Sequence, residues 1–137
     1  MQAESGKWWA ILNDVAQTMG ECPTTFSGAI ALRGGEVLGI SASRGMKGQC
    51  EECGIIQTKQ LVPGEGLGGK VWRDGSECAN AICADVDLLK IGMTTLRTAD
   101  LVYVIGQAGH GIKLLVCSGV TVLHREHATA TTTRLEP

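Results

Sequence analysis

Apolar residues run without a polar break from Leu101 to Ile105, LVYVI. Asp100 bounds the run on one side and the glycine-rich stretch GQAGHG, 106–111, on the other. Val, Tyr and Ile favour a pleated backbone, and the run is too short for a helix of its own. It predicts a strand buried on both faces and innermost in its sheet. The glycine turn then leads into 112–126, where Leu115, Cys117, Val120 and Leu123 predict a final helix. Position more than propensity carries that helix, because Gly119 and the β-branched residues 120–122 are poor helix formers.

At the other end, Trp8, Ile11, Leu12, Val15 and Met19 recur at spacings of three and four, one apolar stripe of a helix over 7–19. Ser5 suits its N-cap and Gly20 its stop. Trp9 lies off the centre of the stripe, so one of the two adjacent indoles is expected to be partly exposed. Residues 28–33 and 36–43 predict two strands joined at Gly34-Gly35, a pair that accepts positive φ in a tight hairpin turn. A short helix is expected over 50–60, with Glu51 and Glu52 near its start.

Beyond it, LVPGEGLGG at 61–69 is a glycine-rich connection. Strands follow at 70–73 and 78–84 around Asp74-Gly75, and at 88–97 and 101–105 around 98–100. The tail at 127–137 is expected to be flexible. The order is helix, two strands, short helix, four strands, helix. Hairpins dominate it, so the expected fold is α+β, a central antiparallel sheet with helices packed on it. Residues 1–6 are a polar lead and 7–126 a single domain.

The chain has 137 residues, enough for one core, and a formal net charge of -2. That balance excludes a general attraction to nucleic acid. No N-terminal signal region and no long apolar run is present, so secretion and membrane spanning are not expected. The six cysteines are then expected to be reduced. Cys50-x-x-Cys53 is a lone CxxC. A zinc site needs about four ligands, and the looser Cys78 and Cys83 do not supply the second pair, so no metal is expected. The 61–69 stretch lacks the Lys-Ser/Thr of a phosphate loop and does not match GxGxxG before a helix. His110, His124 and His127 sit late in the chain with no argued nucleophile or carboxylate partner. The residues therefore predict neither an enzyme nor a cofactor.

An ordered set of segments resembles the profilin family of actin-monomer-binding proteins. KWWAILND at 7–14 is similar to the profilin opening. GLGGKVWRDG at 66–75 is similar to the strand entry G-L-x-L-G-G-x-K-Y, and the spacing from it to LVYVIG nearly matches. The turn AGHG resembles the G-V-H-G-G before the last profilin helix, and Glu51-Glu52 with Gly54-Ile55 resembles the second helix. The resemblance implies that the N- and C-terminal helices lie side by side on one face of the sheet. It implies a cytoplasmic, cytoskeletal, non-enzymatic protein that binds monomeric actin. The matching strands and turn carry Lys70, Trp72, Arg73, Lys90, Arg97, His110, Gly111 and Lys113 as the actin surface. Trp8 and Trp9 are what remains of a proline-rich-ligand groove. Ile11 and Leu38 stand where the family has aromatic rings, and no aromatic residue follows Tyr103. A polyproline helix docks on several flat rings, so proline-rich binding is expected to be weak or absent. Nothing in the sequence supports phosphoinositide binding.

A second resemblance is to GAF domains, which sense small molecules. PGEGLGGKVW is similar to their G-E-G-L-x-G-x-V, and GAIALRGGEVLGISAS to their early hairpin. The GAF-type methionine sulfoxide reductases carry a Cys just before the second Gly of that loop; here Gly68 stands there, so that activity is not implied.

Overall fold

A computed structural model describes residues 2–21, 25–45, 55–63, 70–78 and 81–137, with 2–5, 55–63, 70–78 and 81 described by their backbone. The run at 101–105 is the heart of it. Strand β7, Leu101–Gly106, is the middle strand of a five-stranded sheet. On one side it pairs antiparallel with β1, Ser27–Arg33, which pairs in turn with β2, Glu36–Ala42. On the other side lie β8, Val122–Arg125, and β9, Thr133–Leu135. Val102, Val104 and Ile105 are fully buried and Tyr103 nearly so, as a strand covered on both faces requires. The β1–β2 hairpin turns at Gly34 and Gly35, with φ of +58° and +81°. Those are backbone conformations that side-chain-bearing residues rarely hold.

Strand alternation sorts the core into two layers. Ile30, Leu32, Tyr103, Ile105 and Leu123 face helix α1, Gln2–Thr18, through Trp9, Leu12 and Ala16. Ala29, Ala31, Val102, Val104 and Val122 face the opposite layer. That layer is built from helix α2, Ala84–Asp87, a 3-10 turn at Leu88–Ile91, helix α3, Met93–Leu96, and helix α4, Gly111–Cys117. Leu88, Leu96 and Leu115 fill it. The first helix and α4 therefore lie on opposite faces, not side by side on one face. The reason is in the connection. Helix α4 is the crossover between β7 and β8, which run parallel, Val102 opposite Val122. Parallel neighbours need such a crossover, and it must lie over one face. The sheet is thus mixed rather than antiparallel, within an α+β fold.

Several expected elements are corrected. The helix expected over 112–126 stops at Cys117, and 122–125 is strand. Gly119, at φ +96°, is what stops it. Its N–H bonds to the carbonyl of Val116 (3.1 Å), and that of Val120 to Leu115 (3.0 Å), a Schellman end with Leu115 and Val120 meeting in the core. The expected flexible tail contains β9, paired antiparallel with β8. The strand expected over 88–97 is the 3-10 turn and α3. Within the helix expected at 50–60, residues 55–60 are strand, part of β4, Ile55–Pro63. Strand β5, Lys70–Cys78, runs straight through Asp74-Gly75 and pairs with β4 along its length. A further short pair joins β3, Arg44–Gly45, to β6, Ala81–Ile82.

In α1 it is Trp9 that enters the core and Trp8 that is half-buried, while Met19 is exposed. The Trp9 ring meets Tyr103 edge-on, centroids 5.0 Å apart, and the Arg125 guanidinium lies 4.7 Å from its centroid.

Candidate ligand site

Two buried carboxylates organise the layer opposite α1. Asp85 is fully buried at the start of α2, and its oxygens accept the N–H groups of Gly109 (2.8 Å) and Ile112 (2.9 Å). Charge-assisted bonds of this kind are stronger than neutral ones. Asp85 thus ties the glycine turn after β7 to α2. Gly111 fits because it has no side chain: a Cβ there would strike the Asp85 carbonyl. Ser27 adds a second tie. Its hydroxyl donates to the Gln107 carbonyl (2.6 Å) and accepts the Ala84 N–H (2.8 Å). The glycine turn is therefore held from within the fold.

Asp87, two residues on and so on the other side of α2, faces a cleft. Its carboxylate receives Arg44 Nη1 (3.3 Å) and Lys90 Nζ (3.0 Å), both on side chains more than half exposed, while its own side chain is 6% exposed. Exposed cations hold such pairs with only about 0–1 kcal/mol each, so both retain freedom to turn. The cleft has a volume of about 210 Å³. Ile40, Ser41, Ala42 and Ser43 line it from β2 and its end, Met19 and Glu21 from the chain leaving α1, and Arg44, Asp87 and Lys90 complete it. Glu21 accepts the Gly45 N–H (2.9 Å), and its own N–H bonds to the Ser43 carbonyl (2.9 Å).

The hydroxyls of Ser41 and Ser43 are buried, 4% and 1% exposed by residue, and have no hydrogen-bond partner among the described residues. Burying a hydroxyl without a partner costs about 1–3 kcal/mol. Both oxygens are closed to solvent, so Ser41 and Ser43 line the cleft by their other atoms. The cleft also offers two cationic donors, two carboxylates, and an apolar patch from Met19 and Ile40. This is a set for binding and orienting a small polar molecule. Among the described residues no group of His, Cys, Asp and Glu is arranged to hold a metal ion.

The residues expected from the sequence fall in different places. Lys90 lies on the cleft. Arg97 is exposed at the end of α3. His110 and Lys113 are exposed at the start of α4, whereas Gly111 between them is buried. Lys70, Trp72 and Arg73 lie on β5, paired opposite Pro63, Leu61 and Gln60. Trp9 is held in the core, leaving the half-buried Trp8, with Lys7 Nζ 5.0 Å from its ring centroid. Of the cysteines, Cys83 is buried and Cys117 exposed, while Cys50-x-x-Cys53 lies outside the described residues. Sequence reading missed Glu21, Ser41, Ser43, Arg44 and Asp87. One signal for them is present: Gly39 and Ser41 alternate with Ile40 and Ala42, so small and polar residues share one face of β2. Only the pairing of Ser41 with Ala29 and of Gly39 with Ala31 shows that this face is the covered one.

No family model, curated protein or solved structure matches the chain. No described helix is long and apolar enough to cross a membrane.

Proposed function

We propose that the chain is a non-enzymatic, small-molecule-sensing domain of the GAF-like kind. The observation that carries this reading is the layer of short helices opposite α1. It covers the β1–β2 hairpin and leaves, at the end of β2, a cleft with two cations over a buried carboxylate and an apolar side from Met19 and Ile40. Small-molecule sites are concave, largely preformed, and carry a few converging polar groups. The GAIALRGGEVLGISAS segment, which resembles the early GAF hairpin, is the one that supplies Ile40 to Ser43. The test is a thermal-shift screen of the purified chain against a library of small metabolites. At least one compound should raise Tm saturably, since a ligand that binds only the folded state stabilises it by mass action. A library without a stabilising compound contradicts the reading.

The competing reading is a profilin-like actin-monomer binder. Its favouring observation is the exposed start of α4, where His110, Lys113 and the 50% exposed Leu114 stand together. The opposite-face placement of α1 and α4 counts against it. Pull-down with monomeric actin decides: stoichiometric capture that Lys113→Glu weakens about tenfold, roughly 1.4 kcal/mol, supports the actin surface, and no capture removes it.

A further inference from the structure

We propose that the β4–β5 ribbon is a self-association arm: it joins two copies of this chain by antiparallel pairing of β5 with its own copy about Gly75. The inference goes beyond the sensing reading and does not depend on it. Strands β4 and β5 pair along their whole length, Ile55 opposite Cys78 and Pro63 opposite Lys70. They form a sheet of two strands, apart from the five-stranded one, and no other described strand pairs with either. A ribbon of two strands is marginal in water by itself, whereas three or more strands with an apolar face are stable. Its unpaired N–H and C=O groups are a template for another strand.

Charge complementarity favours a second copy as the occupant. Pairing β5 with itself about Gly75 sets Arg73 opposite the partner's Glu77, and the two-fold axis repeats that pair. Opposite charges directly across two strands stabilise them, and like charges destabilise them. Centring the pairing on Arg73, Asp74 or Glu77 instead sets a charge opposite its own copy. The register about Gly75 also aligns apolar positions. Within each ribbon Leu61 is opposite Trp72 and Ile55 opposite Cys78. Across the axis Trp72 comes opposite the partner's Cys78. Opposite residues share a face, so Leu61, Trp72, the partner's Cys78 and the partner's Ile55 make one apolar row over four strands. The axis supplies a second such row. The other edges are guarded. Self-pairing of β4 about its middle would set Lys59 opposite its own copy, and Pro63 has no N–H to give. Strand β2 carries an extra residue, Leu38, at the Ala31–Leu32 step, and β9 has only 3 residues.

The experiment is sedimentation equilibrium of the full chain over the micromolar range, with reductant so that the cysteines form no cross-links. It compares the native protein, Arg73→Glu, Glu77→Arg, the double variant, and an equimolar mixture of the two single variants, with circular dichroism of each. The native chain should be a dimer in equilibrium with monomer. Each single variant turns two attractive pairs into two repulsive ones and should raise the dimer dissociation constant at least about tenfold. In the mixture every pair across the axis is again of opposite charge, so dimers of one chain of each kind should form. Within one chain Arg73 is opposite Gln60 and Glu77 opposite Ile56, so a role confined to the chain would not be restored by mixing. A monomeric native chain overturns the proposal. So does a dimer that the single variants leave intact, or a mixture of folded single variants that stays monomeric. If a single variant does not fold, the double variant decides, mixed with ¹⁵N-labelled native chain and read by native mass spectrometry. It should pair with itself and not with the native chain, since mixed pairs would oppose like charges. Free mixing, or loss of dimerisation by the double variant, overturns the proposal.

Discussion

Asp85 and Trp9 are the two side chains on which most of the described interior depends. Asp85 is the sole carboxylate accepting both Gly109 and Ile112 among the described bonds. Asp85→Ala would leave two N–H groups without their acceptor, and hydrogen bonds to charged groups are worth about 1.5–3 kcal/mol each. The expected loss is about 3 kcal/mol of unfolding free energy, measured by urea denaturation; a loss below about 1 kcal/mol would show that the turn does not need this anchor. Trp9→Ala should cost about 3–5 kcal/mol, as for other buried large aromatic residues, whereas Trp8→Ala should cost less than about 1 kcal/mol, as for surface positions. The same denaturation series compares them, and equal costs would contradict the placement of the two indoles. The sequence shows a helix with two adjacent tryptophans but not which one is inside. Both choices give an apolar stripe, and only the facing Tyr103 and the Arg125 guanidinium decide it.

At the scale of elements, the chain is legible where local pattern and burial agree. Strand β7, the β1–β2 hairpin with its two glycines, and the first helix follow from periodicity and turn chemistry alone. The reading failed where a tertiary connection overrides local pattern. At 112–126 the helical stripe and the β-branched cluster point in opposite directions, and both are right, for α4 and for β8. The signal that separates them is Gly119, a helix stop rather than a weak point within one helix. Gly119→Ala, forced to φ +96°, should cost about 1–2 kcal/mol with no change in the core; a neutral outcome would remove the glycine stop from the account. The tail was misread for a related reason. Its polar Ala/Thr composition resembles a frayed end, yet β9 covers β8, and Thr132 and the Ala128 carbonyl hold the Arg125 guanidinium (2.7 and 2.8 Å) that lies on Trp9. Removing 127–137 should therefore lower stability by about 2 kcal/mol, from the lost ladder bonds and the freed arginine. An unchanged urea midpoint would return the tail to a flexible one. The cleft was the least legible part. Its residues come from α1's exit, the end of β2, β3, α2 and the 3-10 turn, which only the folded sheet brings together.

For the whole molecule, the decisive feature is which face each helix covers. With α1 on one face and the short helices and α4 on the other, the sheet is a partition between two layers. The cleft lies at the β2 edge of the sheet, between the chain leaving α1 and the Asp87–Lys90 turn. A small-molecule sensor uses that edge, whereas an actin binder uses the exposed start of α4. The two surfaces carry different residues, so one spectrum separates them. The most direct test is the backbone ¹H–¹⁵N correlation spectrum of the chain, titrated with whichever metabolite most raises Tm and, in a second sample, with monomeric actin. The account predicts saturable shifts from the metabolite at residues 41–44 and 87–90, and an unchanged spectrum with actin. Silence at those residues with the metabolite, together with actin-induced changes at 110–114, would contradict it.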